Sequence, residues 1–153
     1  QALLPEPERE TYLAGDAFLE DWVKKVRADM PDAPLLVTAG GLFYYFEEEK
    51  VLGLLRMLGG FGEIEVVLDA VSKTGMAMMR RKYMKQVGHV DAQMFFYVDA
   101  GEKLAEHIGG KARLLAEEPY YYRIPRKGLQ LSTRFNMAVS DRLRMVKMIH
   151  LKL

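Results

Sequence analysis

Two apolar runs with an amphipathic segment between them form the clearest pattern in the chain. Residues Leu35–Ala39 form an apolar run that leads into two glycines, which predicts a strand buried on both faces. Glutamates at 47–49 then open a segment whose leucines and valine recur at helical spacing, and residues 64–68 form a second apolar run ending at Asp69. Strand, helix and strand predict a right-handed crossover in a parallel sheet, and therefore an α/β fold.

Weaker patterns predict the remaining strands and one more helix. Residues 11–14 are a candidate strand, and apolar residues at helical spacing predict a helix over 18–26 that two prolines close. Late in the chain, residues 112–116 and 144–153 predict two strands that complete the sheet. Between them, residues 120–130 read as an irregular connection.

Two further helices are predicted from their capping residues. Ser72 is a candidate N-cap for a helix whose basic run, residues 80–82, forms a solvated face. Asp99 and Glu102 are three positions apart and predict a capping box for a helix that ends at Ile108, before two glycines. The apolar side of the Ser72 helix consists of Met76, Met79, Tyr83 and Val87.

Composition limits the class of protein. At 153 residues, half of them hydrophobic, the chain suits one domain, and no apolar run approaches the roughly 20 residues that span a bilayer. Twenty-two basic and 21 acidic residues give a net charge of +1, which predicts no nucleic-acid or membrane partner. The lack of cysteine excludes disulfides and thiolate chemistry. A cytoplasmic protein is expected. The start at Gln1, followed by a Pro- and Glu-rich stretch over 4–10, suggests a fragment of something longer.

Candidate site residues follow the predicted strands, because ligands bind outside the carboxyl ends of the strands in an open parallel sheet. Gly40 and Gly41 permit close backbone approach to a ligand, while Tyr44 and Tyr45 offer aromatic walls and hydroxyls. Asp69, at the end of an apolar run, must face a cleft, a hydrogen-bond network or water. Together these residues suit a nucleoside-sized pocket.

Each of these features also has a purely structural interpretation. The glycine pair is more often turn geometry than a binding loop, and Asp16 is as well suited to cap the helix that follows it. The tyrosines are equally suited to a core, and Asp69 to anchoring a loop. Both interpretations stay open at the level of the sequence.

Other chemistries lack support. His89, His107 and His150 are far apart and show no metal-ligand spacing, so we interpret them as structural and predict no metal. The chain contains no nucleophile elbow, phosphate loop or dinucleotide glycine fingerprint. The basic residues near 80–85 lack an exposed aromatic platform for nucleic acid.

Four segments carry a resemblance to a known family. They read YLAGDAFLEDW from Tyr12, PLLVTAGGLFYYFEEEKVLGLLRML from Pro34, EIEVVLDAVS from Glu63 and MIHLKL from Met148. In this order they resemble the bacterial polyketide-synthesis O-methyltransferases, which are related to leucine carboxyl methyltransferases. The resemblance implies a Rossmann-like class I methyltransferase fold with strand order 3-2-1-4-5-7-6, most of it parallel, with an antiparallel closing pair.

The resemblance implies that this chain is a partial domain. Residues 11–14 would be strand three, Leu35–Ala39 strand four and residues 64–68 strand five, followed by strands six and seven. The first two strands, which carry the glycine-rich cofactor loop, are missing, so residues 1–153 would be the C-terminal half of one domain. The predicted partners are a small-molecule substrate and the N-terminal half of the domain or a second copy.

The resemblance also implies roles for individual residues. Asp16 would contact the adenine amino group of S-adenosylmethionine, with the backbone of Ala17 nearby, and residues 39–41 would line the methionine end. That set consists of Ala39, Gly40 and Gly41. Tyr44 and Asp69 would face the substrate, and Tyr45 would orient the methyl acceptor. Many relatives have Glu where this chain has Gly40, which removes one side-chain contact.

The sequence therefore predicts an S-adenosylmethionine-dependent O-methyltransferase acting on a hydroxyl or carboxylate of a polyketide-like molecule. Such a reaction needs alignment of acceptor, methyl and sulfur more than a nucleophile or a metal, so the lack of catalytic motifs is compatible with it. The alternative is a noncatalytic α/β binding or assembly module that retains the scaffold. Gly40 and the missing cofactor loop are the features that favour this alternative.

Overall fold

The structure is a computed structural model that describes residues 10–86 and 93–153, with backbone only for residues 82–86. Within these residues the chain forms five α-helices, one 3-10 turn and four strands. The elements, in chain order, are α1 (Asp21–Asp29), β1 (Leu35–Ala39), a 3-10 turn (Phe43–Tyr45), α2 (Glu48–Gly59), β2 (Ile64–Val71), α3 (Lys73–Gln86), α4 (Gly101–Ile108), β3 (Arg113–Pro119), α5 (Leu131–Arg142) and β4 (Val146–Lys152). None of the described helices is long and apolar enough to cross a bilayer.

The four strands form one mixed sheet in the order β1-β2-β4-β3. β1 is parallel to β2, with Leu35 opposite Ile64. β4 lies between β2 and β3 and is antiparallel to both. The α/β class and the antiparallel closing pair are thus confirmed, whereas a mostly parallel sheet is not, because the insertion of β4 leaves only one parallel pairing among the described strands.

One face of the sheet carries the main apolar core. Val23 of α1, Leu55 of α2 and Leu104 of α4 pack with sheet residues such as Val66 and Ile149, and all five are buried. Alternate residues of each strand point to this face, since successive side chains in a strand point to opposite faces. The helices before β1, between β1 and β2, and before β3 therefore all cover the same side.

The opposite face is covered only at one end. At the carboxyl end of β2, Tyr44, Val71 and Met76 form a second small cluster. Toward the amino end of β1 and β2 this face is open: Leu36 is 61 % exposed, and it lines a groove of about 330 Å³ with Val67 and other residues of the sheet. The groove is mixed in character, since Glu65, His150 and Lys152 line it beside the apolar residues. A sheet with parallel strands is normally covered on both sides.

Several predicted elements are confirmed. The predicted strand at Leu35–Ala39 is β1, and the helix predicted after Glu47 is α2. The Ser72 hydroxyl accepts a hydrogen bond from the Gly75 N–H at 3.1 Å, as an N-cap should. α4 ends at Ile108, where Gly109 adopts φ of 78°. The irregular connection and the last strand also lie where they were predicted.

Two further predictions are wrong, and one helix was missed. Residues 11–14, predicted as strand three, are not a strand, since no neighbouring strand among the described residues accepts their backbone hydrogen bonds. The Asp99 and Glu102 capping box does not form, because the Asp99 carboxylate accepts from the Lys73 N–H at 2.9 Å instead. Helix α5 was not predicted.

Some predictions lie outside the described residues. These are Val87 of the predicted third helix, His89, and most of the Pro- and Glu-rich start over 4–10. The side chain of Tyr83 is also outside the description.

Candidate functional site

The loop that follows β1 holds most of the predicted site residues. Gly41 adopts φ of 65°, a left-handed conformation in which glycine is strongly favoured, and this turns the chain away from the sheet. The chain then enters the 3-10 turn that carries Tyr44 and Tyr45. The loop therefore lies at the carboxyl end of β1, next to the carboxyl end of its parallel neighbour β2.

Asp69 of β2 ties this loop to the sheet. Its Oδ1 accepts a hydrogen bond from the Gly41 N–H at 2.7 Å, and its Oδ2 accepts from the Tyr44 hydroxyl. The pairing of β2 with β4 continues to Val71, so Asp69 lies within the strand and not at its end. Both carboxylate oxygens are engaged, which explains how a carboxylate is tolerated at a buried position. The loop-anchor interpretation of Asp69 thus has direct structural support.

Tyr44 is held in place from two sides. Its side chain is buried, and its carbonyl accepts a hydrogen bond from the Phe95 N–H at 2.7 Å. Burial raises the pKa of the Tyr44 phenol, and the hydrogen bond to Asp69 and the negative charge of Asp69 raise it further. The phenol is therefore a neutral hydrogen-bond donor at physiological pH.

Tyr45 differs from its neighbour in exposure. It is 51 % exposed, and its ring lies 6.4 Å from the Tyr44 ring in an edge-to-face arrangement at 77°. Unlike the buried Tyr44 side chain, the Tyr45 side chain is open to solvent. Of the two tyrosines, only Tyr45 is placed to contact a bound molecule without breaking an internal hydrogen bond.

An apolar cavity lies beside the loop. It has a volume of about 310 Å³, and Ala39 and Ala17 both line it. Trp22 forms another part of the wall, and its indole N–H donates to the Ala17 carbonyl at 2.9 Å. Two of the predicted cofactor residues therefore line the same cavity, although Ala17 precedes α1 in the chain and Ala39 follows it.

Asp16 does not line this cavity but lies beside it, in a neighbouring hollow that shares Gly15 and Trp22 with the cavity. Its Oδ1 accepts from the Phe18 N–H at 2.9 Å, and its carbonyl accepts from the Leu19 N–H at 3.1 Å. The carboxylate thus stabilises a turn by bonding to its own backbone two residues on. It does not cap α1, whose N-cap is Glu20.

Gly40 is placed next to open space. A Cβ atom added there would meet no heavy atom within 4 Å, whereas the left-handed backbone of Gly41 would strain any side chain. A side chain at residue 40 would therefore meet no obstacle at its Cβ position. The absence of a side chain at this position is not imposed by packing.

The sequence analysis missed a buried charged network near the β3 edge of the sheet. Lys147 is 2 % exposed, and its ammonium donates to the Asp99 carbonyl at 2.6 Å and lies 3.3 Å from Glu117 Oε1. Glu117 Oε2 also accepts from the Gly101 N–H at 2.6 Å, at the start of α4. Lys147 alternates with its neighbours in β4 so that its side chain points to the same face as Ile149 and Leu151. That alternation is the feature of the sequence from which its burial could have been predicted.

No group of three or more potential metal ligands occurs in the part of the chain that the structure describes. Two of the histidines have carboxylate partners. His107 Nδ1 lies 3.1 Å from Glu48, and His150 Nε2 lies 2.7 Å from Glu65. Glu48 is the first residue of α2 and Glu65 lies in β2, so each pair joins two elements of the fold, and both histidines have contacts suited to a structural role.

Comparisons with known proteins leave the chain without an assigned relative. No protein-family model matches it, and no curated protein matches its sequence at a significant level. The features that bear on function are therefore the geometry of the sheet, the loop after β1 and the adjacent cavity.

Proposed function

We propose that this chain is the C-terminal half of a class I S-adenosylmethionine-dependent O-methyltransferase domain. With the strands that would extend the sheet beyond β1, it transfers a methyl group to a hydroxyl or carboxylate of a small polyketide-like molecule in the cytoplasm. The observation that carries this proposal is the order and direction of the four strands.

The sheet order supports the proposal because it is unusual. Strands β1, β2, β4 and β3 have the order and the relative directions of strands 4, 5, 7 and 6 in the arrangement 3-2-1-4-5-7-6. Successive crossovers would place each new strand at the outside of a parallel sheet, whereas here the last strand is inserted antiparallel between two earlier ones. Strands one to three would continue the sheet from the free edge of β1.

The open edge and the open face support a larger sheet independently. β1 is paired on one side only, and it carries neither a charged residue nor a proline that would discourage a further strand. Leu36 on this strand is exposed, on the face that the described helices leave open. A second half of the domain would cover both surfaces.

The residues at the carboxyl end of β1 fit the cofactor in several respects. The apolar cavity between Ala17 and Ala39 is suited to a nucleoside base, and Asp16 is exposed with Oδ2 available to accept from an exocyclic amine. Gly40 and Gly41 leave room for a ligand to approach the backbone. S-adenosylmethionine, when bound, supplies the methyl group on a positively charged sulfur.

The protein's task in this reaction is to position the acceptor. Tyr45 is exposed beside the loop and is the residue that orients the acceptor oxygen in this proposal. Tyr44 and Asp69, predicted as substrate contacts, act here by fixing the loop, because both are engaged with each other. Alignment of this kind provides most of the rate in a displacement that needs no covalent catalysis.

The test is titration calorimetry with S-adenosylhomocysteine. The chain is measured alone and together with a segment carrying the first three strands, and binding is expected only in the second case. Gly40→Glu should tighten binding in the complemented form, since it restores a side chain where relatives have one. Gly53→Glu is the matched control, because Gly53 also faces open space but lies on α2. A complemented, folded form that binds no S-adenosylhomocysteine would contradict the proposal.

A noncatalytic binding or assembly module is the second candidate. Two observations favour it: Gly40 offers no side chain to a cofactor, and Asp69 and Tyr44 satisfy each other inside the protein. On this account the complemented form folds and stays unable to bind S-adenosylhomocysteine, and Gly40→Glu does not create binding. The same titration thus separates the two candidates.

A further inference from the structure

Helix α5 is oriented with apolar side chains toward solvent. Met137 is its only buried residue in the structure as described. On the opposite side of the helix, Leu131 is 79 % exposed and Phe135 is 69 % exposed. These two residues are four apart and therefore lie one turn from each other on the same helix face.

The segment around α5 is strongly basic. Residues 120–144 contain six basic side chains and one acidic one, a net charge of +5, while the rest of the chain carries −4. The whole-chain value of +1, which predicted no membrane partner, conceals this separation. Arg134 and Arg142 lie on or beside the exposed apolar face of α5, because Arg134 is three residues from Leu131 and Arg142 is seven residues from Phe135.

The connection before α5 lies along the same surface. The Tyr121 N–H donates to Asp141 Oδ1 at 3.0 Å, and the Arg126 guanidinium contacts Asp141 Oδ2 at 3.2 Å. Both contacts fasten the connection to the last turn of α5. Other exposed apolar residues in this segment are Tyr122, Ile124, Leu129 and Leu143. Loop and helix together form one apolar and basic surface, here called the α5 surface.

The α5 surface lies away from the open edge of the sheet. α5 contacts β3 and β4, whereas the free edge belongs to β1 at the other side of the sheet. Strands that extend the sheet beyond β1 would not reach α5. The exposure of Leu131 and Phe135 therefore needs an explanation separate from the proposed missing half.

We propose that the α5 surface binds an anionic lipid membrane as a peripheral contact. Leu131 and Phe135 project from a convex helix face and are suited to insertion into the headgroup region, while the arginines contact lipid phosphates. A second copy of this surface is disfavoured, because it would bring a charge of +5 against +5. A protein partner would bind protruding side chains of this kind only if it offered a groove lined with acidic residues.

The experiment is cosedimentation of the full chain with vesicles. One set contains phosphatidylcholine alone, and the other contains phosphatidylcholine with about one third phosphatidylglycerol. We expect binding to the anionic vesicles only, weakened severalfold at high salt because the charges are screened. Leu131→Ser with Phe135→Ser, and separately Arg134→Glu with Arg142→Glu, should each reduce the bound fraction at least about fivefold. Circular dichroism checks that each variant is folded.

Matched controls use exposed residues elsewhere. Leu19→Ser and Lys25→Glu change the same kinds of side chain near α1 and should leave vesicle binding unchanged. Equal binding to both vesicle types, no binding, or an equal loss in the controls overturns the proposal. So does light scattering that shows a dimer abolished by the Leu131 and Phe135 changes, or preferential binding to polyglutamate, which would indicate an acidic protein. None of these outcomes depends on S-adenosylhomocysteine binding.

Discussion

The two edges of the sheet are built in opposite ways. β3 ends in two glutamates and a proline, and its pairing with β4 is interrupted by a register shift between Leu114 and Ala116. β1 reads Leu-Leu-Val-Thr-Ala and pairs regularly over its whole length. Charges, proline and irregular pairing discourage the addition of another strand, and β1 has none of these.

The difference indicates that β3 is built as a protected edge, whereas β1 lacks the features that protect an edge strand. Glu117 of β3 is also fastened inward, to Lys147 of β4 and to the first residue of α4. Among the described residues, none anchors the outer side of β1 in a comparable way, although the loop that follows β1 is fastened to β2 through Asp69. The β1 side is therefore open along the strand and fixed at its carboxyl end.

The anchor of the β3 edge gives the largest expected effect. Glu117→Ala should lower the free energy of unfolding by about 3 kcal/mol, because it leaves the buried Lys147 ammonium without its carboxylate and removes an acceptor from the Gly101 N–H. Urea denaturation measures the change. Glu118→Ala, the neighbouring residue paired with Arg123 at the surface, is the control and should leave stability unchanged. Equal losses of stability at both positions would contradict the statement that Glu117 anchors the β3 edge.

The fixed end of the β1 side is tested at Tyr44. Tyr44→Phe should cost about 2 kcal/mol at pH 8, since it removes a buried hydrogen bond to a carboxylate. Tyr45→Phe controls for the substitution itself.

The effect of Tyr44→Phe should also depend on pH. An ordinary tyrosine ionises near pH 10, whereas the folded-state pKa of Tyr44 is raised. The stability that Tyr44 contributes is therefore fully present below pH 10 and is lost as pH rises above it. Denaturation curves of both proteins from pH 8 to pH 11 should converge, and a difference that stays constant would contradict the raised pKa.

The open part of the β1 side is tested by a charge. We expect the chain to self-associate through the β1 edge, and Leu36→Lys should weaken that association about tenfold, close to 1.4 kcal/mol, because it places a cation on an otherwise uncharged edge strand. Sedimentation equilibrium over a concentration series measures this. Leu115→Lys on β3 is the counterpart and should have no effect, since that edge is already protected. If both changes act alike, the edges do not differ as we describe.

The smallest expected effect concerns the loop backbone. Gly41→Ala should destabilise the chain by about 1 kcal/mol, because residue 41 has a left-handed φ of 65°. Gly40→Ala, one residue earlier and next to open space, should be neutral or slightly stabilising. Thermal melting of the two variants compares them directly. A larger loss in Gly40→Ala would show that the loop is held differently.

The sequence predicted elements whose signals are local. β1 and α2 were predicted correctly because an apolar run, an acidic first turn and terminal glycines are all read within a few residues. The candidate strand at residues 11–14 failed for the opposite reason, since a strand depends on a partner that local sequence does not reveal. Helix α5 was missed because its apolar residues point outward, so it lacks the pattern of a helix that packs on a core.

The sequence predicted the placement of the loop residues at the end of a strand but not the contacts that they make. Residues 39–41 and the tyrosine pair do lie at the carboxyl end of β1. Nothing in the sequence indicates that Asp69, 28 residues after Gly41, bonds to both Gly41 and Tyr44. Such a bond depends on two parallel strands ending side by side. The burial of Lys147 was not predicted either, since a lysine is rarely buried unless groups distant in the sequence pair with its charge.

The position of β4 between β2 and β3 has a consequence for the order of folding. β3 ends at Pro119, but the strand that pairs with it begins at Val146, so β3 must wait during synthesis until residues 120–145 have been added. β2 and β3 become parts of one sheet only through that late strand. Formation of the sheet is thus dominated by contacts between distant parts of the chain, which slows folding, and a ribosome-bound chain shorter than about residue 146 would hold β1 and β2 paired while β3 stays without its sheet.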